Sequence, residues 1–273
     1  MDREYKSLLS LLDDENEQSA SLAMAELLRR DEKQLEPVLR KLQESSDPRL
    51  RKRIHQLQST MFLRRRRKSL SACLSSRNLN LLEGLFQLHL LWFDNDSPDA
   101  LRKQWEKLIA EAVKFTPDTL ESLAMFMRKM DFRCAHKDDL EPEHLCIGTI
   151  MDEATGADFM LCAIAALIGG RFGLRLRITQ SAETDFILLD EHENILIPAN
   201  DWDYMPFDQT HYAFEFWSVP MLLRYAAALL FTCSVSADSF RYVFTIGSCL
   251  GGPQAEQDGP VFLPYPYGSD KQV

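Results

Sequence analysis

Gly156–Ile178 reads GADFMLCAIAALIGGRFGLRLRI, and its two halves have different periods. Phe159 to Ile168 is apolar at every position, so it predicts a helix enclosed on all sides rather than one lying half in water. Thr155 is a candidate N-cap, with Asp158 three residues on in the acidic position of a capping-box-like start. Gly169 and Gly170 weaken the last turn, and Arg171, Phe172 and Gly173 close it. Leu174, Leu176 and Ile178 then alternate with Arg175 and Arg177, the two-residue period of a half-buried strand. A buried helix, a tight turn and a strand are thus expected at the middle of the chain.

Downstream, Thr184–Leu189 and Ile195–Ile197 flank the turn residues Glu191 to Asn194 and predict a β-hairpin with a longer loop. Tyr212–Trp217 (YAFEFW) alternates as a further strand. Asp201 and Asp203, in DWDY, are expected in a surface turn. Pro220 opens MLLRYAAALLF, a helix, and Ala237–Leu250 is another, with an irregular tail from Gly251 to Val273.

Upstream, residues 1–70 carry short helices in pairs, the fourth from Leu50 to about Phe62, punctuated by Asp13-Asp14 and by Asp47-Pro48 about 34 residues later. This weak repetition resembles the HEAT type of helical repeat, and a small helical bundle fits the same pattern. Leu79–Phe93 is a strongly apolar helix in which His89 reads as a packed histidine. Ser97-Pro98 opens a further helix, and Thr116-Pro117 repeats the device before LESLAMFMRKM. The elements together make an α+β, mostly helical chain with a small antiparallel sheet, divided into a helical region at 1–130 and an α+β region at 131–273.

The 273 residues hold six scattered cysteines with no CxxC pair, which fits a reduced, cytoplasmic setting with buried thiols. MDREYKSLLSLLDD lacks the basic start and apolar core of a secretory signal. The net charge of −10 is concentrated after residue 180, where thirteen acids face Arg224, Arg241 and Lys271. That acidic half is a poor nucleic-acid surface. The basic run from Arg49 to Lys68, with Arg64, Arg65, Arg66 and Arg67 at its heart, is the candidate anion-binding face. It has no interleaved aromatics, and a solvated helix face paired with nearby acids is the competing reading. Cys134-x-His136 and His144-x-Cys146 match no usual zinc spacing. No metal and no cofactor is expected.

HLCIGTIMDEATGADF, CAIAALIGGRFGLRLRI, TDFILLD and NILIPANDW, taken in order over Pro142–Phe207, resemble the transglutaminase-like domain of the bacterial SirB family. The resemblance implies a transglutaminase-like domain beside an N-terminal helical repeat. In the wider transglutaminase and papain-like group a Cys at a helix start, a His on the next strand and an Asp on the strand after supply the chemistry: the helix end favours the thiolate, the His takes the proton and the acid orients the His. Alignment on the FGL turn puts Asp158 at the Cys position and Asp185 at the His position, and the third acid falls near Ile197 and Pro198, where no carboxylate stands. The resemblance therefore implies a non-catalytic domain that binds a protein or peptide as a scaffold or regulator, its cleft near Asp158, Cys162, Asp185 and Trp202. An alternative is a cysteine-dependent hydrolase or acyltransferase using Cys162 or Cys146 with His144 or His192. A third reading is nucleic-acid binding through Arg49–Lys68.

Overall fold

The computed structural model describes residues 3–75, 80–180, 185–206 and 215–250. The expected tail from Gly251, and Tyr212 to Phe214 of the expected last strand, lie outside them. The chain forms two compact units, Met1–Arg66 and Arg67–Val273.

The first unit is helical: α1 (Arg3–Leu11), α2 (Glu17–Leu27), α3 (Glu32–Leu42) and the first part of α4 (Pro48–Ser75). Short polar residues start these helices. Asn16 accepts the amide hydrogens of Gln18 and Ser19, Asp31 that of Lys33, and Asp47 that of Arg49, so first-turn donors that lack an intrahelical partner are satisfied. Leu12, Leu27, Leu35, Leu39, Ile54 and Leu57 close the core. The fourth helix does not stop near Phe62 as the sequence suggests. It continues through the arginine run, because arginine is a good helix former and nothing between 62 and 75 breaks the backbone.

The second unit opens with α5 (Leu81–Trp92), α6 (Pro98–Phe115) and α7 (Leu120–Lys129). Helix α7 begins later than Thr116-Pro117 predicts. Thr119 is the cap, and its side chain and that of Ser122 bond each other's backbone amides, whereas Thr116 ends α6 in the left-handed conformation. Two short parallel strands, β1 (Arg133–Cys134) and β2 (Thr155–Gly156), bracket α8 (Ile147–Glu153).

Next come α9 (Asp158–Arg171) and the strands β3 (Arg177–Gln180), β4 (Phe186–Leu189), β5 (Asn194–Ile197), β6 (Asp203–Pro206) and β7 (Glu215–Phe216). The sheet order is β6-β5-β4-β3-β7, with all neighbours antiparallel. The predicted hairpin is β4–β5, with Leu188 opposite Leu196. Helices α10 (Val219–Ser236) and α11 (Phe240–Leu250) follow. Among the described residues α10 is the one helix long and apolar enough to cross a membrane, and its Leu222, Leu223, Ala226, Ala227 and Leu230 lie in the protein core.

Helix α9 is the centre of this unit. Phe159 through Ala165 are all buried, as is Ile168. Its end is a Schellman motif: Leu174 N–H bonds the Gly169 carbonyl at 3.0 Å, and Gly173 takes φ +90°, a conformation that costs glycine nothing sterically. Gly169 also packs closely, since a Cβ there would stand 2.9 Å from Leu176 Cδ1 and that side chain would have to shift. The strand then starts at Arg177 rather than Leu174.

Two expectations at the edges of this centre are corrected. Thr155 does not cap α9. Thr155 and Gly156 are extended in β2, where Ala135 N–H bonds the Gly156 carbonyl at 2.8 Å, and the helix starts after Ala157. The DWDY segment is not simply a surface turn. Trp202 is fully buried and donates from Nε1 to the Phe132 carbonyl at 2.7 Å, and Asp203 begins β6. Asp201 and Trp202 both have left-handed φ, +48° and +59°. Such backbone costs on the order of 1–3 kcal/mol per residue and persists only where its surroundings hold it. Arg128 does so, donating to the Asp201 carbonyl at 2.6 Å, the Trp202 carbonyl at 3.0 Å and the Asp203 carboxylate at 3.1 Å.

Candidate functional site

The first residue of α9 faces a cleft of about 520 Å³ whose walls include Cys134, His136, Lys137, Asp138, Asp158 and Ala199. Three elements meet there: the stretch just after β1, the start of α9 and the turn after β5. Asp158 is held by the backbone. Its Oδ1 accepts the Phe159 amide hydrogen at 2.7 Å, its Oδ2 accepts that of Phe186 at 3.1 Å, and Lys137 Nζ stands 3.9 Å away. Asp185, just before β4, hydrogen-bonds Lys137 directly. The structure therefore brings Asp158 and Asp185 together around one ammonium group.

The electrostatics follow from burial. Desolvation raises the Asp158 pKa above its ordinary value and outweighs the two amide hydrogen bonds and Lys137, with Asp185 adding to the rise. Burial opposes the charge on Lys137, but the Asp185 hydrogen bond and the Asp158 field prevail and its pKa is raised. The two directions are consistent. Lys137 is about half exposed and Asp158 is 12 % exposed, so desolvation costs the carboxylate more than the ammonium. Beneath the cleft, Phe159, Phe186, Trp217 and Tyr225 form one aromatic cluster with ring centres 4.9–5.7 Å apart. Burial, then Asp158, raises the Tyr225 hydroxyl.

The thiols are poorly placed for attack. Cys162 is fully buried one turn into α9, and desolvation, reinforced by Asp158, pushes its pKa well above the usual thiol value. Cys146 is equally buried and shifted the same way, first by desolvation and then by Glu143. Cys134 lines the cleft, yet burial, together with Asp158 and Asp185, pushes it up to about 12. Its neighbours make a thiolate unfavourable, the opposite of what a nucleophilic cysteine needs.

Residues 99–199 match the family model of the transglutaminase-like superfamily. The chain carries a transglutaminase-like domain. No curated protein and no solved structure matches the chain significantly. The matched stretch runs from the first turn of α6 to the turn after β5, so it contains Cys134, Lys137, Asp158 and Asp185 and stops before Trp202 and Tyr225.

Of the residues singled out in the sequence, Asp158 lines this cleft and Asp185 reaches it through Lys137. Cys162 and Trp202 are buried structural neighbours. His144 accepts the Glu141 amide hydrogen on Nδ1 at 3.1 Å within its own turn, and His192 sits in the β4–β5 loop with its amide bonded to Asp190. Lys137 and Tyr225 carry no sequence signal: Lys137, after β1, reaches Asp158 at 3.9 Å, and Tyr225, on α10, reaches the Phe159 ring at 5.1 Å, only through the fold. The arginines of the first unit are engaged locally. Arg64 donates to the Leu28 carbonyl at 2.6 Å, Arg65 pairs with Glu32 at 2.8 Å and Glu36 at 2.7 Å, and the Arg66 guanidinium lies 4.1 Å from the Phe62 ring centre. In the second unit Arg67 lies 5.0 Å from the Phe244 ring centre. Among the described residues no group of three or more metal-ligating side chains occurs.

Proposed function

We propose that this transglutaminase-like domain is non-catalytic, of the SirB type, and that the protein works in the cytoplasm as a protein- or peptide-binding scaffold or regulator beside a HEAT-like helical region. The observation that carries the reading is Asp158. At the first position of α9, where the resembled enzymes hold a nucleophile, stands a carboxylate whose two oxygens are each taken by a backbone amide and whose nearest charged partner is an ammonium. A carboxylate so committed stabilises the helix start and offers no thiolate. The buried, neutral thiol of Cys162 gives the same support. The cleft, about 520 Å³ with Lys137, Asp138 and Asp158 in its lining, is of the size that receives a peptide side chain.

The test is transamidation and amide hydrolysis by the full chain, with dansylcadaverine and a glutamine-containing protein as substrates. No turnover above a no-protein control is expected. A measurable rate that disappears in Cys134→Ala, Cys146→Ala or Cys162→Ala would replace this reading with the cysteine-hydrolase one. For the binding role, a peptide library screened against the wild type and Lys137→Ala should yield peptides that discriminate between the two. Peptides binding both alike, or none binding, would remove the cleft as the binding surface.

A further inference from the structure

A second cavity, of about 340 Å³, opens in the same unit where α5, the start of α6 and α8 meet. Its base is the His89 ring, itself buried, with the apolar faces of Phe93 and Leu101. The orientation of the imidazole is fixed at both ends. Gly148 N–H must donate, so Nδ1 is the acceptor of that bond at 3.3 Å, and the proton sits on Nε2, which bonds Asp96 Oδ2 at 2.8 Å. Both ring nitrogens are thus satisfied in the neutral form, and the ring brings no positive charge to the cavity. Gly148 is confined by the same contact: a Cβ there would meet His89 Cε1 at 2.5 Å and Leu101 Cδ2 at 2.7 Å. Gln104 fastens the other side, donating to the Gly148 carbonyl at 2.9 Å.

The mouth is charged on one side only. Asp96 and Asp152 stand at the rim, and among the described residues no Lys or Arg lines the cavity. Asp152 makes no hydrogen bond or ion pair with the described residues, whereas the neighbouring acids Asp94 and Asp99 are paired with Arg241 and Arg102. The positive end of α6 also faces this region, and Asp99 in its first turn, with Asp96 ahead of it, offsets that partial charge. An apolar floor beneath two carboxylates, with no basic side chain in the lining, selects a molecule with an apolar stem and a cationic head.

We infer that this cavity binds a primary alkylammonium group, its stem against Phe93 and Leu101 and its head between Asp96 and Asp152. The group is the end of a free amine or of a lysine side chain. The site is separate from the Asp158 cleft and does not depend on how that cleft works.

The test is an NMR titration of the full chain, following the Gly148 and Thr149 amides, with n-butylammonium, n-butanol and n-butyrate as probes. Butylammonium should bind about fivefold more tightly than butanol, the upper end of the range for one exposed ion pair, and butyrate should not shift these amides. Asp152→Asn, an exposed substitution that leaves the His89 bonds untouched, should bring the amine to within about twofold of the alcohol. Ala100→Phe, at an exposed position of the wall, should block both. Butanol binding as well as butylammonium, butyrate binding best, or no probe shifting these amides would each overturn the inference. Nα-acetyl-lysine methylamide separates the sources. If it shifts the same amides, the ligand is a partner's lysine, and if only butylammonium does, it is a free amine.

Discussion

Replacing Asp158 by alanine removes the acceptor of two backbone amides at once. The Phe186 amide begins β4, where the residue is 2 % exposed, and the substitution removes its protein acceptor. Leaving such a donor unpaired costs about 1–3 kcal/mol, and hydrogen bonds to a charged acceptor fall in the upper part of that range. The Phe159 amide lies in the first turn of α9 and loses its side-chain acceptor, about 1 kcal/mol more. Burial of the carboxylate works the other way, since its raised pKa means the fold holds the charged form at a penalty, and alanine recovers part of that. The balance is a loss of about 2–3 kcal/mol, or a Tm lower by about 4–12 °C for a unit of this size. Urea denaturation read by tryptophan fluorescence measures it. Asp158→Asn keeps one acceptor and the side-chain shape and should lose about 1 kcal/mol.

The same pair of proteins tests the electrostatics. A carboxyl whose folded pKa lies above its unfolded value binds protons more tightly when folded. Its contribution is therefore most favourable below the ordinary value of 3.8 and is lost as pH rises through the folded pKa. Wild type should lose stability relative to Asp158→Asn as pH climbs through that window and hold a constant difference above it. A loss below about 1 kcal/mol for Asp158→Ala, or a difference that grows in favour of wild type with rising pH, would refute the reasoning.

Other consequences follow from single contacts. Trp202→Phe deletes the Nε1–H bond to the Phe132 carbonyl and leaves a cavity, and should cost about 2–4 kcal/mol by urea denaturation; a change within about 0.5 kcal/mol would mean the left-handed turn is held by Arg128 alone. With its pKa pushed up to about 12, Cys134 is ionised in roughly one molecule in ten thousand at pH 8. Iodoacetamide followed by mass spectrometry should therefore label Cys134, Cys146 and Cys162 far more slowly than free cysteine, and one fast-reacting site among them would restore a nucleophile. Arg65→Ala breaks two half-exposed ion pairs, and its urea midpoint should reflect less than about 1 kcal/mol. If Arg64 to Arg67 are committed to local partners, changing them together to alanine should leave retention on heparin unchanged, and a steep salt-dependent loss of retention would revive the nucleic-acid reading.

What the residues determine alone is local. The unbroken apolar run Phe159–Ile168 predicts an enclosed helix, Gly173 marks where that helix must end, and the turn residues Glu191–Asn194 between two apolar runs mark a hairpin. Asp158 could be singled out from its place at the helix start and its alignment on the FGL turn. Tertiary structure decided the rest. Thr155 looks like a cap in one dimension, yet β1 claims its backbone. Trp202 sits among acids that signal a turn, yet a carbonyl 70 residues earlier buries it. Lys137 and Tyr225 join Asp158 only through packing across distant elements. Periodicity and capping act within one or two turns of chain, so sequence carries them directly. The charge state of a carboxylate, the fate of a thiol and the lining of a cleft depend on which remote groups exclude water from it, and only the folded chain settles that.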